Sequence, residues 1–360
     1  MLRIYSQRHI IESILESEIP SNMFHIITSG HVGVIHIPES DSYNNIDEMG
    51  INDDLLANIE LTGTTIQWED DFSDKVIQNH ALVIEHPNAI FILDISPEDA
   101  IKISKNYGVI CMSSYDIKDD MLSKSYEYDL EHGSNGISWG DFMAAGAKDI
   151  PSNSMVIIDR YLFSLGEKSG KKEAIDAINL GVENIKCILN GILPKNLSIP
   201  TYKVLIVFDS SSILCKQDDN FENEALSLIT EELTEYGRRS KIRKYPIEFL
   251  LLSIDHNFIN YNKTHNRKII SNYFLIRGEH KLRAFNGHVS ETTQTLRFDT
   301  LFSKIHKNVP NGPHSPIISI NQSLNCISEI ITLGKSRFFK NLINTKITLD
   351  DCKNEKFIFN

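Results

Sequence analysis

The feature that most constrains this chain is a rhythm between residues 154 and 254. "SMVIIDRYLF", "YKVLIVFD" and "YPIEFLLLSI" are near-continuous apolar runs, the pattern of strands buried on both faces. Between the first two stands "KKEAIDAINLGVENIKCILNGIL", with Ala174, Ile178, Val182, Ile185 and Leu189 at helical spacing. Between the second and third stands "FENEALSLITEELTEYGRRS", which opens acidic and ends basic as a helix dipole prefers. Strand, helix, strand, helix, strand requires crossover connections, and so predicts parallel strands with helices laid on the sheet. "KIISNYFLIRG" and "KLRAFN" then read as a hairpin, which makes the sheet mixed. The expected fold class is α/β.

The first third reads as a second α/β unit. "FHIITSGHVGVIHI" alternates around Gly30 and Gly33 and predicts a strand or hairpin. In "NAIFILDISPEDAIKISKNYG", residues 90–95 form a buried strand, Ser96 stands at the N-cap, Pro97 at the first helical position, and Gly108 stops the helix. "VICMS" follows as a strand. Residues 131–154, "EHGSNGISWGDFMAAGAKDIPSNS", are rich in Gly, Ser and Asn and predict a linker. The organisation expected is an acidic α/β domain over 1–130, a linker over 131–154, a domain over 155–320, and a C-terminal helix and tail over 321–360.

Charge divides the chain at the same place. Residues 1–150 hold 8 Lys and Arg against 26 Asp and Glu, a net −18. Residues 151–360 hold 28 against 22, a net +6, and the stretch 237–307 holds 14 against 5, a net +9. The basic stretch points to a polyanionic partner, and the acidic half to a protein partner. The five cysteines are scattered, with no CxxC and no Cys/His cluster, which argues for a reducing cytoplasm and against structural zinc. No apolar run is long enough for a membrane span, and no signal peptide is visible at the start.

Several chemistries are excluded by spacing. "GEKSGKK", residues 166–172, sits where a P-loop would, but has three residues between its glycines instead of four, and Lys172 replaces the hydroxyl. There is no dinucleotide fingerprint, metalloprotease helix or serine-hydrolase elbow, so no cofactor is expected. Asp209 with Ser210–Ser212 lies at the carboxyl end of a strand, the usual ligand position of an α/β sheet, but reads first as an ordinary cap of the next loop.

One stretch carries more. "THNRKIISNYFLIRGEHKL" has the skeleton His265-x-Arg267-x4-Asn272, with Gly278 closing the next strand. It resembles the phospholipase D superfamily, whose hallmark is H-x-K-x4-D with a glycine about seven residues on. The resemblance covers about residues 151–310 and extends to a diverged branch that includes the C-terminal domain of MIT-domain-containing protein 1 and a bacterial family. It implies a phospholipase-D-like fold in which His265 attacks phosphorus, Arg267 holds phosphate oxygens and Asn272 orients the imidazole. Such sites take two motifs, and this chain shows one, which implies a homodimer if the site is active.

The departures predict lost chemistry. Arginine clamps phosphate bidentately, so binding survives. Asparagine supplies no charge to the imidazole, and the same change beside the catalytic histidine of a serine protease costs about four orders of magnitude. The expectation is therefore a phosphate-backbone binder, with nucleic acid as partner and catalysis lost. An active, metal-independent phosphodiesterase and a lipid- or protein-docking module are the alternatives. The phosphate-binding set expected is Arg267, Lys268, Lys281 and Arg283 on or near the hairpin, with Arg238, Arg239, Lys241, Arg243 and Lys244 before the third strand. Tyr273 and Phe285 read as stacking or core aromatics.

Overall fold

The computed structural model describes residues 2–18, 21–30, 32–38, 51–69, 71–130, 139–146, 150–164, 170–213, 215, 221–238, 243–254, 267–278, 294–303, 316–332 and 336–340. The chain is α/β, with one parallel sheet and one mixed sheet. In the first, β1 (Leu2–Ser6), β2 (Val32–Pro38), β3 (Thr65–Glu69), β4 (Ala89–Leu93) and β5 (Ile110–Ser113) run parallel in the order β3-β2-β1-β4-β5. Helices α1 (Arg8–Glu16), α2 (Asn22–Ile27), α3 (Ile51–Leu61), α4 (Phe72–Gln78) and α5 (Pro97–Tyr107) connect them.

The second sheet contains β6 (Ser125–Leu130), β7 (Ser154–Ile158), β8 (Tyr202–Asp209), β9 (Ile247–Ile254), β10 (Arg267–Ser271), β11 (Phe274–Gly278), β12 (Gln294–Thr300) and β13 (Ser336–Lys340). Their order is β13-β9-β8-β7-β10-β11-β12-β6. Strands β7, β8 and β9 are parallel, and β10, β11, β12 and β6 alternate antiparallel beyond β7. Helices α6 (Trp139–Gly146), α7 (Lys171–Ile192), α8 (Phe221–Gly237) and α9 (Pro316–Thr332) complete the fold.

Local chemistry explains the helix ends. Ser96 accepts the N–H of Asp99 at 3.1 Å, Pro97 opens α5, and Gly108 closes it at φ 67°, as expected from the residues alone. In α7, Ala174, Ile178, Val182, Ile185 and Leu189 are buried, forming the stripe that faces the sheet. Gly181 lets this helix lie flat. A Cβ there would sit 2.4 Å from the Phe163 ring and 2.7 Å from the Leu162 carbonyl oxygen.

Four expectations are corrected. Residues 22–27 form a helix rather than a strand, because Ser21 accepts the Phe24 N–H at 3.1 Å and Met23, Ile26 and Ile27 fall on one buried face. The 131–154 segment is more than a linker. Its residues 139–146 form α6, where Trp139 is buried and its indole N–H donates to the Ile188 carbonyl at 3.2 Å. Strand β6, placed with the acidic N-terminal domain, pairs with β12 as the far edge of the mixed sheet. The C-terminal helix begins at Pro316, and a thirteenth strand follows it along β9.

The two sheets share a core. One buried apolar cluster runs from Ile4, Ile35 and Ile90 through Ile157, Val207 and Leu251 to Ile276 and Ile327. A smaller one packs Tyr5, Phe91 and Ile103. At the seam between the sheets, Asn153, Asn272 and Tyr273 meet residues 87–89 and the end of α5.

Candidate functional site

The carboxyl-terminal ends of β7 and β8 gather charged groups around one ring. β7 is the strand at which the sheet order turns back, since the chain builds β8 and β9 on one side and β10 on the other. Such switch points leave a crevice outside the carboxyl ends of the strands. Two buried carboxylates shape its floor. Asp159 accepts the N–H of Tyr161 at 3.0 Å, and Asp209 accepts the N–H of Ser211 at 2.8 Å. Each turns the chain out of its strand by bonding its own backbone two residues on.

Two guanidinium groups answer them. Arg160 Nε donates to Asp209 Oδ2 at 2.9 Å, with both side chains almost wholly buried. Arg267 enters from β10, one register step beyond Lys268 opposite Ile158, and its Nε lies 3.9 Å from Asp159 Oδ1. The Tyr161 ring, 37% exposed, sits 5.2 Å from the Arg160 guanidinium and 5.5 Å from that of Arg267. The result is a charge-balanced cluster, two buried carboxylates against two largely buried guanidinium groups, that carries a partly exposed aromatic ring suited to stacking with a base. Among the described residues, no cluster of three or more His, Cys, Asp or Glu side chains is placed to hold a metal ion.

Of the described residues in the phosphate-binding and catalytic set expected from the sequence, Arg267 lies in this crevice, and Asp209, weighed as a strand-end ligand or cap, lies in its floor. His265, Arg239, Lys241, Lys281 and Arg283, and Phe285 with them, lie outside the described residues. Asn272 is corrected. Strand β10 separates it from Arg267 by its full length, roughly 16 Å at the usual rise per residue. Its side chain is spent at the seam. Oδ1 accepts the backbone N–H groups of Asn153 and Ser154, both at 3.1 Å, and Nδ2 donates to Pro87, Asn88 and Asn153 oxygens. It orients two segments of backbone rather than an imidazole. Tyr273 is core, with its hydroxyl donating to the Ala89 carbonyl at 2.6 Å.

The basic run before β9 belongs to another edge. β9 runs parallel to β7, so Arg238, Arg243 and Lys244, which precede it, lie at the amino-terminal ends of these strands. Arg243 is buried there, donating to the Tyr236 carbonyl at 2.6 Å and covering the Tyr236 ring. It caps the end of α8. Arg238 and Lys244 are exposed. The single basic surface expected from the sequence is therefore divided.

Lys268 faces the opposite side of the sheet from Arg267. It is buried, and its Nζ donates to Ser323 Oγ of α9 at 2.8 Å. Its cross-strand neighbour is Arg277, which in turn faces Arg297. Burial first, and Arg277 second, push its pKa down to about 8, against a weaker opposing effect of Cys326. The charged form is thus disfavoured in the fold. Between pH 8 and the ordinary lysine value of 10.5 the unfolded chain binds more protons, so stability rises with pH across that window. Lys268→Met is expected to stabilise the chain at pH 7 by about 1–2 kcal/mol and to flatten that alkaline rise. Urea unfolding at pH 7 and pH 10 checks both, and a less stable variant at pH 7 contradicts the expectation.

Asp159, Arg160 and Tyr161, two charged residues and an aromatic ending an apolar strand, were not among the site residues expected from the sequence. The equivalent edge of the parallel sheet is closed. Gln7 donates to Asp74 Oδ1 at 3.2 Å and accepts the Asp94 N–H at 3.3 Å, filling the gap between β1 and β4. No helix among the described residues is long and apolar enough to cross a membrane.

No family model and no curated protein matches the chain. Among solved structures, the crystal structure of Aa-Ago with externally-bound siRNA aligns over 91% of this chain at 9% identity and a TM-score of 0.15. The chain spans 44% of the length of that protein, and a superposition of this quality carries no argument about fold or function.

Proposed function

We propose that this protein binds a phosphate-bearing polymer, nucleic acid first, at the carboxyl-terminal edge of β7, and does not cut it. The observation that supports the reading is the partly exposed Tyr161 ring, with the Arg160 and Arg267 guanidinium groups beside it, at the strand-order switch. The partly exposed Tyr161 ring accepts a base of any sequence by stacking, while the two guanidinium groups beside it, themselves buried, fix its position. The phospholipase-D-like resemblance fits this use, since Arg267 stands at its phosphate-holding position. Loss of catalysis follows from Asn272, whose amide is committed to the seam and brings no carboxylate to His265.

Fluorescence anisotropy of the full chain with a labelled single-stranded DNA 20-mer tests this. Binding is expected to fall steeply with added KCl. Tyr161→Ala is expected to weaken it roughly tenfold, the equivalent of about 1.4 kcal/mol of stacking, while Tyr115→Ala, exposed on the parallel-sheet unit, leaves it unchanged. Undiminished binding by Tyr161→Ala removes the crevice as the contact surface. Metal-independent cleavage of the oligonucleotide that His265→Ala abolishes makes the protein a phosphodiesterase instead.

A further inference from the structure

A groove of about 550 Å³ runs along the junction of the two sheets, far from the Tyr161 crevice in role and composition. α5 forms one wall, with Ala100 and Ile101, and the 194–197 loop after α7 forms the other, with Leu197. Met121 and Ile150 add to its apolar lining. Volume and setting are those of small-molecule sites, which favour junctions between folded units.

The walls are fastened together. The Ser198 N–H donates to the Asn106 carbonyl at 2.6 Å, and the Asn153 amide to the Tyr107 carbonyl at 3.4 Å. Gly108 approaches Ser152 so closely that an added Cβ would lie 2.4 Å from its carbonyl oxygen. A groove held by backbone contacts is pre-formed, and a ligand loses little by ordering it.

Its charges are one-sided. Lys105, Lys118 and Lys195 line it, with Asp116 as the one acidic lining residue. Lys118 pairs with Asp116 at 2.8 Å in an exposed ion pair, which holds neither firmly. Lys105 and Lys195 make no ion pair with any described residue. Residues 1–150 contain only 8 Lys and Arg against 26 acids, yet two of those eight stand here, so the cationic rim runs against the charge of its own half. The lining hydroxyls are already used. Ser104 bonds the Cys111 backbone, and Ser113 donates to the Ile95 carbonyl. A ligand therefore meets apolar walls and lysine ammonium groups.

We infer that this groove binds a small organic anion, free in solution, with an apolar aliphatic or aromatic body and a single carboxylate or sulfonate end. The site is independent of the nucleic-acid reading and stands if that reading fails.

The test uses the full chain with 8-anilinonaphthalene-1-sulfonate, an apolar fluorescent anion. One saturable site is expected, from which decanoate displaces the dye and decanol at equal concentration does not. The double reversal Lys105→Glu/Lys195→Glu is expected to weaken dye binding about tenfold or more. Ile101→Trp, at a partly exposed position on α5, is expected to fill the groove and remove the signal. All variants are compared at matched urea midpoints, so that dye bound to loosened protein is recognised. Non-saturable binding, equal competition by decanol, or a dye affinity unmoved by the lysine reversal overturns the assignment.

Discussion

Asn272→Asp is expected to destabilise the full chain by about 3 kcal/mol and to restore no phosphodiesterase activity. From the motif alone, the same substitution would complete an H-x-R-x4-D pattern and revive a histidine nucleophile. The seam geometry reverses that expectation. Asn272 Oδ1 already takes two backbone N–H groups, and a carboxylate oxygen would serve there equally well. Its Nδ2, however, donates toward the Pro87 carbonyl and the side-chain oxygens of Asn88 and Asn153. In the variant a buried carboxylate oxygen faces these acceptors without a proton to share. Asn153 cannot turn its amide to help, because its Nδ2 is committed to the Pro87 and Tyr107 carbonyls. Urea unfolding followed by far-ultraviolet circular dichroism measures the loss, with phosphodiester hydrolysis assayed alongside. A variant as stable as the parent, or one that gains His265-dependent activity, refutes this account.

A larger loss, about 3–5 kcal/mol, is expected for Asp299→Asn. Asp299 is fully buried in β12 and holds four partners. Its Oδ2 receives Arg277, and Arg297 Nε at 2.8 Å, while Oδ1 receives Ser125 at 2.7 Å and Ser303 at 3.1 Å. Arg277 and Arg297 stand directly opposite one another across β11 and β12, with Lys268 next in the row. This carboxylate keeps Arg277 and Arg297 on neighbouring strands from facing one another uncompensated. Burial pushes its pKa up, but the hydrogen bonds from Arg297, Ser125 and Arg277 outweigh that and hold it below the ordinary value of 3.8. A depressed folded pKa contributes stability that is complete above the ordinary carboxylate range and is lost as pH falls through the folded value. The parent should therefore lose stability on acidification below about pH 4, and the gap between parent and Asp299→Asn should narrow there. Unfolding midpoints at pH 7 and pH 3 decide it. An equal gap at both would show that Asp299 contributes by shape and not by charge.

Both predictions turn on partners far away in the chain, and this marks what was legible in the sequence. The α5 unit was readable to the residue, because a Ser96 cap, a Pro97 start and a Gly108 stop act within four positions of the backbone they organise. The β7-α7-β8-α8-β9 order was readable because apolar periodicity reports whether a segment is buried on one face or two. Even the misreading of residues 22–27 has a local cause in reverse: Ser21 and the spacing of Met23, Ile26 and Ile27 are helix signals that the flanking glycines masked.

Periodicity does not say which strand lies alongside, and there the tertiary structure decided. β6 reads as part of the acidic half, yet Ser125 binds Asp299, 174 positions on. Adjacent Arg267 and Lys268 look like one basic pair. A strand sends neighbours to opposite faces, so one meets Asp159 and Tyr161 while the other is buried beneath α9. Residues five apart in a motif look like one site, but an extended backbone carries Asn272 to the far edge from Arg267, where Asn153 and Pro87 consume it. By itself the sequence determined the parallel β-α-β-α-β core and the ends of α5, while α2, α6 and β13 were set by contacts the sequence did not announce. Which groups share a site follows from strand pairing over more than a hundred residues, and that is set by the burial of the joint core rather than by any local stretch of chain.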